Sequence, residues 1–308
     1  MMTKNTVNDH IVCAYLYSIT KYGYPPPASG TLAHIDEMIE LGFASIELEG
    51  IREDHLMEVF ALKDSIAEKL RKENLTVPYF CGVLPGLSSL DEAERNKQLD
   101  LFEKGCETAA CFGAIGVLDN APLPPFHFPS DIPVVRHYDE EVLNAAYWPK
   151  DVSWEQYWEQ LVDTYRTACE IAGRYKLKYV MHPAVGVLAS STDGYLRFHD
   201  AVKMDNLRFN FDTANQFLIK ENLSLSLRRL KDHIDYIHVS DNGGFKMEHL
   251  AIGQGNIRWD VFFETLQVID FKGHIGIDIG GDESAVDDLD VAYTDAAAFI
   301  SEHWHAIH

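Results

Sequence analysis

Four residues that can bind a cation or move a proton stand at the ends of four successive apolar runs. They are His182 after "KYVM", Asp212 in "FNFDTANQ", His238 in "YIHVSDN" and Asp278 in "GIDIGG". Two imidazoles and two carboxylates form a mixed nitrogen and oxygen donor set, suited to manganese, cobalt, zinc, nickel or magnesium. They act together only if the four runs are neighbouring strands whose ends meet. Each also has a plainer reading. A strand-end histidine is often a hydrogen-bonded structural residue, and Asp212, followed by Thr213, could simply cap a helix. His249, eleven residues past His238 in "MEHLAIGQGNIRW", makes five such coincidences harder to dismiss. Glu47 and Glu49 end an earlier run, "ASIELEG".

The elements that must position these residues alternate along the chain. Strand-like runs fall at 11–18, 44–50, 75–84, 115–120, 178–182, 207–212, 234–240 and 274–280, rich in β-branched and aromatic residues and ending at turn formers. Helical segments lie between them, at 31–41, 54–73, 91–112, 153–175, 192–204, 221–232, 258–269 and 286–303. Eight strand-then-helix units predict parallel strands joined by crossover helices. A doubly wound sheet would accommodate them, but no Gly-x-Gly-x-x-Gly turn follows the first strand. The expectation is therefore an α/β fold, a single (β/α)8 TIM barrel over residues 1–308, with its chemistry at the carboxyl ends of the strands. Between the fourth strand and its helix, residues 121–151 form a connection with several prolines and with His127, His137 and Trp148. A connection that long is expected to be a lid or binding loop.

Bulk properties narrow the class. Acidic residues outnumber basic ones by 48 to 26, a formal charge of −22. Such a surface repels nucleic-acid backbones and anionic membranes, so neither is an expected partner. Cys13, Cys81, Cys106, Cys111 and Cys169 show no Cys-x-x-Cys spacing and read as reduced thiols. The beginning of the chain has no signal-peptide pattern, and no run reaches the roughly 18 apolar residues of a membrane span. These features predict a soluble cytoplasmic protein.

The stretch "IDYIHVSDNGGFKMEHLAIGQGNIRWDVFFETLQVIDFKGHIGIDIGGDES" resembles the carboxyl-terminal part of the xylose isomerase-like TIM-barrel superfamily, the group of sugar isomerases, epimerases and endonuclease IV. "NLRFNFDTANQF" and "GFASIELEG" resemble further segments of it. The resemblance implies a (β/α)8 barrel, one divalent metal, with manganese first among the candidates, and carbohydrate substrates. Asp212 and His238 match the family's metal aspartate and histidine, and Asp278 stands where a metal-binding glutamate is usual. The fifth strand of the family often reads Glu-x-His-Pro, so Val180 occupies the ligand position and His182 the neighbouring histidine. Side chains two apart on a strand share a face, which lets His182 serve as the replacement ligand.

Family epimerases move a proton between the faces of a carbon beside a carbonyl, using two metal-bound glutamates. With one glutamate missing and the other shortened to Asp278, a one-base reaction fits better: removal of an α-proton, then departure of a β-substituent. The resemblance thus implies an isomerase, an epimerase or a lyase, with His182, Asp278 or Glu47 as base. His249, His127, His137, Trp148 and Tyr17 are the expected substrate contacts. Relatives that cleave 3-keto glycosides, among them C-glycoside deglycosidases with a small second subunit, share this logic and suggest an oligomer. A barrel that binds sugar without catalysis is a further alternative. A DNA-repair endonuclease is disfavoured, because Asn215 and Met247 stand where its additional metal ligands are required.

Overall fold

The computed structural model describes residues 7–128 and 140–307. The chain runs β1 (Ile11–Cys13), α1 (Leu16–Tyr22), α2 (Thr31–Glu40), β2 (Ser45–Ile46), β3 (Leu48–Glu49), α3 (Arg52–Glu73), β4 (Tyr79–Cys81) and α4 (Glu92–Phe112). It continues through β5 (Gly116–Asn120), α5 (Glu140–Ala145), α6 (Trp154–Arg174), β6 (Lys178–His182), α7 (Thr192–Val202), β7 (Leu207–Asp212), α8 (Thr213–Leu218) and α9 (Leu223–Leu230). The last elements are β8 (Ile234–Val239), α10 (Trp259–Val268), β9 (His274–Ile277) and α11 (Leu289–Ile307).

All strands are parallel, in the order β2-β1-β9-β8-β7-β6-β5-β4-β3. β2 and β3 are one strand interrupted at Glu47, whose N–H still bonds to Cys13 O at 2.9 Å. Joining them closes the sheet into the expected eight-stranded barrel. The first expected strand, 11–18, ends early: from Leu16 the chain is helical, and Tyr17 faces the outer core.

Capping explains where the outer helices start and stop. Asp91 and Ser153 accept from Ala93 N and Gln156 N at the starts of α4 and α6. Asn74 and Gly113 end α3 and α4 in the left-handed conformation.

Period-two alternation divides the buried residues into two sets. One fills the space between strands and helices. The smaller set, Val12, Tyr79, Cys81, Leu118, Val180 and Tyr236 among them, plugs the barrel interior. Tyr79 and Tyr236 stack there with centroids 4.1 Å apart. The close approach requires glycine opposite: a Cβ on Gly276 would lie 2.4 Å from the Tyr236 hydroxyl. This plug is the floor on which the polar strand ends sit.

Of the expected lid, the described parts are residues 121–128 and 140–151. His127 pairs with Tyr147 in an antiparallel bridge. His137 lies outside the described residues.

Candidate metal centre

The barrel register brings the predicted donors side by side. Asp212 of β7 pairs with His238 of β8, and a register shift between Phe209 and Asn210 aligns them. Such an irregularity beside a site re-aims the residues that follow it. His238 pairs in turn with Gly276 of β9, two residues before Asp278. His182 ends β6 on the other side of Asp212. The loop after β8 folds back as two bridges, Asp241 to Leu250 and His249 to Gly280, which carries His249 over the centre.

The donors surround one point. His182 Nε2 and His249 Nε2 each lie 3.8 Å from Asp212 Oδ2. His249 Nε2 and His238 Nδ1 each lie 3.8 Å from Asp278 Oδ2. These separations are too long for hydrogen bonds. They suit side chains that face a shared centre. All five residues are buried, and two overlapping sets, His182–Asp212–His238 and Asp212–His249–Asp278, could hold an ion. Asp212 Oδ2, both Asp278 oxygens and both His238 nitrogens have no hydrogen-bond partner. Buried polar atoms are rarely left so, and an ion accounts for these together. The residues present therefore fit a divalent metal.

Asp212 also caps α8, because its Oδ1 accepts from Asn215 N at 2.8 Å. The plain reading of this residue is right, and the metal reading stands on its other oxygen. Burial alone would raise the Asp212 carboxyl. The nearby His249, with the charges of His182 and His238, outweighs that and holds it below the usual carboxylate range. For His238 burial works against the charge, but Asp278, Glu47 and Asp212 push it up to about 9.

Glu47 stands behind His238. Its Oε2 accepts from Tyr15 N at 3.0 Å, and its Oε1 lies 3.5 Å from His238 Nε2. One face of the imidazole thus meets a carboxylate while Nδ1 faces the centre, an arrangement that orients a ligating histidine. Glu49, on the same face of that strand, is buried with Oε2 unpartnered. Burial, then the nearby Glu47 charge, pushes its carboxyl up to about 8.

The other expected contacts are placed differently. The Tyr17 hydroxyl donates to Asp290 under α11, on the outer side of the sheet. The Trp148 indole N–H donates to Val152 O at 2.7 Å, and its ring packs edge-on against Tyr157. His127 is exposed beside Tyr147. Two residues absent from the expected set reach the site. Glu283 Oε1 lies 3.3 Å from His249 Nδ1. Asn210 Nδ2 lies 2.8 Å from His182 Nδ1. For Glu283 the signal was present in the acidic "GGDES"; for Asn210 only strand register reveals it. A cavity of about 550 Å³ lies away from the centre, against α11, lined by Ile252, Trp259, Val286, Val291 and Phe299.

The family model for the xylose isomerase-like TIM barrel matches residues 35–303. The chain belongs to this family. A 3-keto-D-glucoside 4-epimerase, YcjR, from E. coli superposes with a TM-score of 0.73 at 17% identity, covering 96% of this chain and 100% of that one. The IOLI protein with a bound zinc atom superposes with a TM-score of 0.66 at 17% identity, covering 96% and 97%. An uncharacterized protein of Methanocaldococcus jannaschii is 29% identical over 146 residues, 44% of this chain. The chain spans about half the length (49%) of this curated relative. Within the xylose isomerase-like barrel, Val180 is buried in the interior plug, so β6 offers no carboxylate and His182 is its polar end. No described helix is long and apolar enough to cross a membrane.

Proposed function

We propose that this chain is a divalent-metal-dependent enzyme that removes a proton beside the carbonyl of a sugar or keto-sugar, as an isomerase, an epimerase or a lyase. The observation that carries the proposal is the gathering of His182, Asp212, His238, His249 and Asp278 in two overlapping buried groups, with Asp212 Oδ2, both Asp278 oxygens and both His238 nitrogens otherwise unpartnered. A divalent ion held there, with manganese the first candidate, would polarise the substrate carbonyl and acidify the neighbouring C–H. The E. coli structural neighbour acts on a 3-keto-D-glucoside by name, and the zinc bound in the IOLI protein supports a metal in this barrel. The loops after β8 and β9, "DNGG" and "GGDES", carry acids, which favours an uncharged sugar over a phosphorylated one.

Asp278 has two buried oxygens without partners. One can face the metal while the other takes the proton from carbon. Glu47 supports His238. Glu49, two residues on, has its carboxyl pushed up to about 8 by burial and Glu47, and is the candidate to return a proton to substrate or leaving group. With Val180 in place of a second metal-bound carboxylate, the opposite face of the substrate lacks a matching base. That asymmetry favours elimination of a β-substituent over two-base epimerisation, and extends the proposal to glycoside cleavage with a small second subunit. An oligomer belongs to the same reading. A barrel that only bound sugar would have no need for five converging donors.

The test is solvent exchange. Metal-loaded protein incubated in D₂O with ketohexoses and with 3-keto-glucosides should place deuterium beside the carbonyl of one of them. Chelation and Asp278→Asn should each abolish this. Absence of both exchange and turnover with both substrate classes would contradict the proposal.

A further inference from the structure

We infer that Asn210 is the positioning residue that lets His182 hold the metal on a strand with no metal-binding carboxylate; this rests on the metal reading above. Val180 is 1% exposed and packs in the barrel plug. The next inward position on β6 is His182, whose Nε2 faces Asp212 Oδ2 at 3.8 Å. On the other side of the ring, Nδ1 lies 2.8 Å from the Asn210 amide nitrogen, and both residues are buried. Asn210 sits on β7 two residues before Asp212, on the same inward face and at the register shift.

The pairing has a chemical asymmetry. As found, Asn210 Nδ2 donates to Nδ1, which places the ring proton on Nε2, toward the centre. Asn210 Oδ1 is then buried without a partner, which is unfavourable. Turning the amide half a revolution about its Cβ–Cγ bond exchanges its oxygen and nitrogen and sets Oδ1 beside Nδ1. Oδ1 accepts from Nδ1–H, and the Nε2 lone pair points at the metal position. Asparagine serves both tautomers through one rotation. Aspartate would serve only the metal-binding tautomer, and leucine neither.

Asn210→Leu and Asn210→Asp, each alone and combined with His182→Ala, test this on chelator-stripped full-length protein. Cobalt affinity is read by competition with a chromophoric chelator. The His182 tautomer is read by long-range ¹H–¹⁵N NMR, before and after zinc. Asn210→Leu should weaken cobalt binding about 10–100-fold, the effect of losing a residue that orients a ligating histidine. Asn210→Asp should stay near wild type, and neither change should matter once His182 is alanine. In the wild type, zinc should move the His182 proton from Nε2 to Nδ1. If Asn210→Leu does not fold, Asn210→Ala takes its place with the same readouts. Unchanged affinity in Asn210→Leu, or an equal loss with and without His182, would overturn the inference while leaving the metal centre intact. A wild type that binds no divalent ion would overturn the functional proposal and this inference together.

Discussion

Asp212 divides its carboxylate between two tasks, and substitution can separate them. Oδ1 caps α8 and Oδ2 faces the centre. Asparagine is a good N-cap but a poor anionic ligand. Asp212→Asn should therefore keep a thermal midpoint near that of metal-free wild type, yet lose divalent-ion affinity by more than the roughly 10–100-fold of a supporting residue. Asp212→Ala should lose both, with about 1 kcal/mol gone from the cap alone. Calorimetry beside thermal unfolding separates the two effects. Glu49 gives a pH prediction. Its folded carboxyl is raised to about 8, chiefly by burial, from the ordinary glutamate value near 4.5. The unfolded chain therefore releases this proton first, so the group erodes stability as pH rises from about 4.5 to 8. Glu49→Gln should leave stability little changed near pH 4.5 and raise the midpoint by several degrees at pH 8. Equal midpoint shifts at both pH values would contradict it.

At the scale of elements, the buried carboxylate of Asp241 gathers much of the loop after β8. Asp241 accepts from Asn242 N, Gly253 N, Ile257 N and Trp259 Nε1 at 2.8–3.1 Å. Those bonds shape the turn that returns His249 to the centre. Asp241→Ala should cost about 3 kcal/mol or more, since several buried donors lose their acceptor, and should also weaken metal binding through His249. Chemical denaturation and metal titration check the two halves. The strand and helix alternation was legible in the sequence because the outer helices carry ordinary caps and apolar faces. α1 was not, because "IVCAYLYS" is apolar throughout and the turn at Ala14-Tyr15 has no glycine or proline to mark it. Tyr17 and Trp148 were read as substrate contacts from residue type. Which side of the sheet Tyr17 faces depends on where β1 stops. The Trp148 N–H was already committed to Val152 O. The link between Asn210 and His182 crosses strands separated by a helix, so only register exposes it.

At the scale of the whole molecule, closure of the barrel turns scattered residues into a site. His182 and Asp278 are far apart in sequence and meet because parallel strands end on one face. The four strand-end donors were readable once eight strands were counted. His249, read as a substrate or loop residue, joins them because two antiparallel bridges fold its loop inward. Binding a metal to this preformed centre should stabilise the entire fold, by about 2.7 kcal/mol at a hundredfold excess over Kd. The thermal midpoint should then rise with added manganese or zinc and fall on chelation. The most direct test is the metal content of purified, metal-reconstituted protein, wild type beside Asp212→Ala and His182→Ala. The account predicts about one tightly held divalent ion per wild-type chain and loss of it in both variants. A wild type that stays empty, or variants that hold the ion as tightly as wild type, would contradict it.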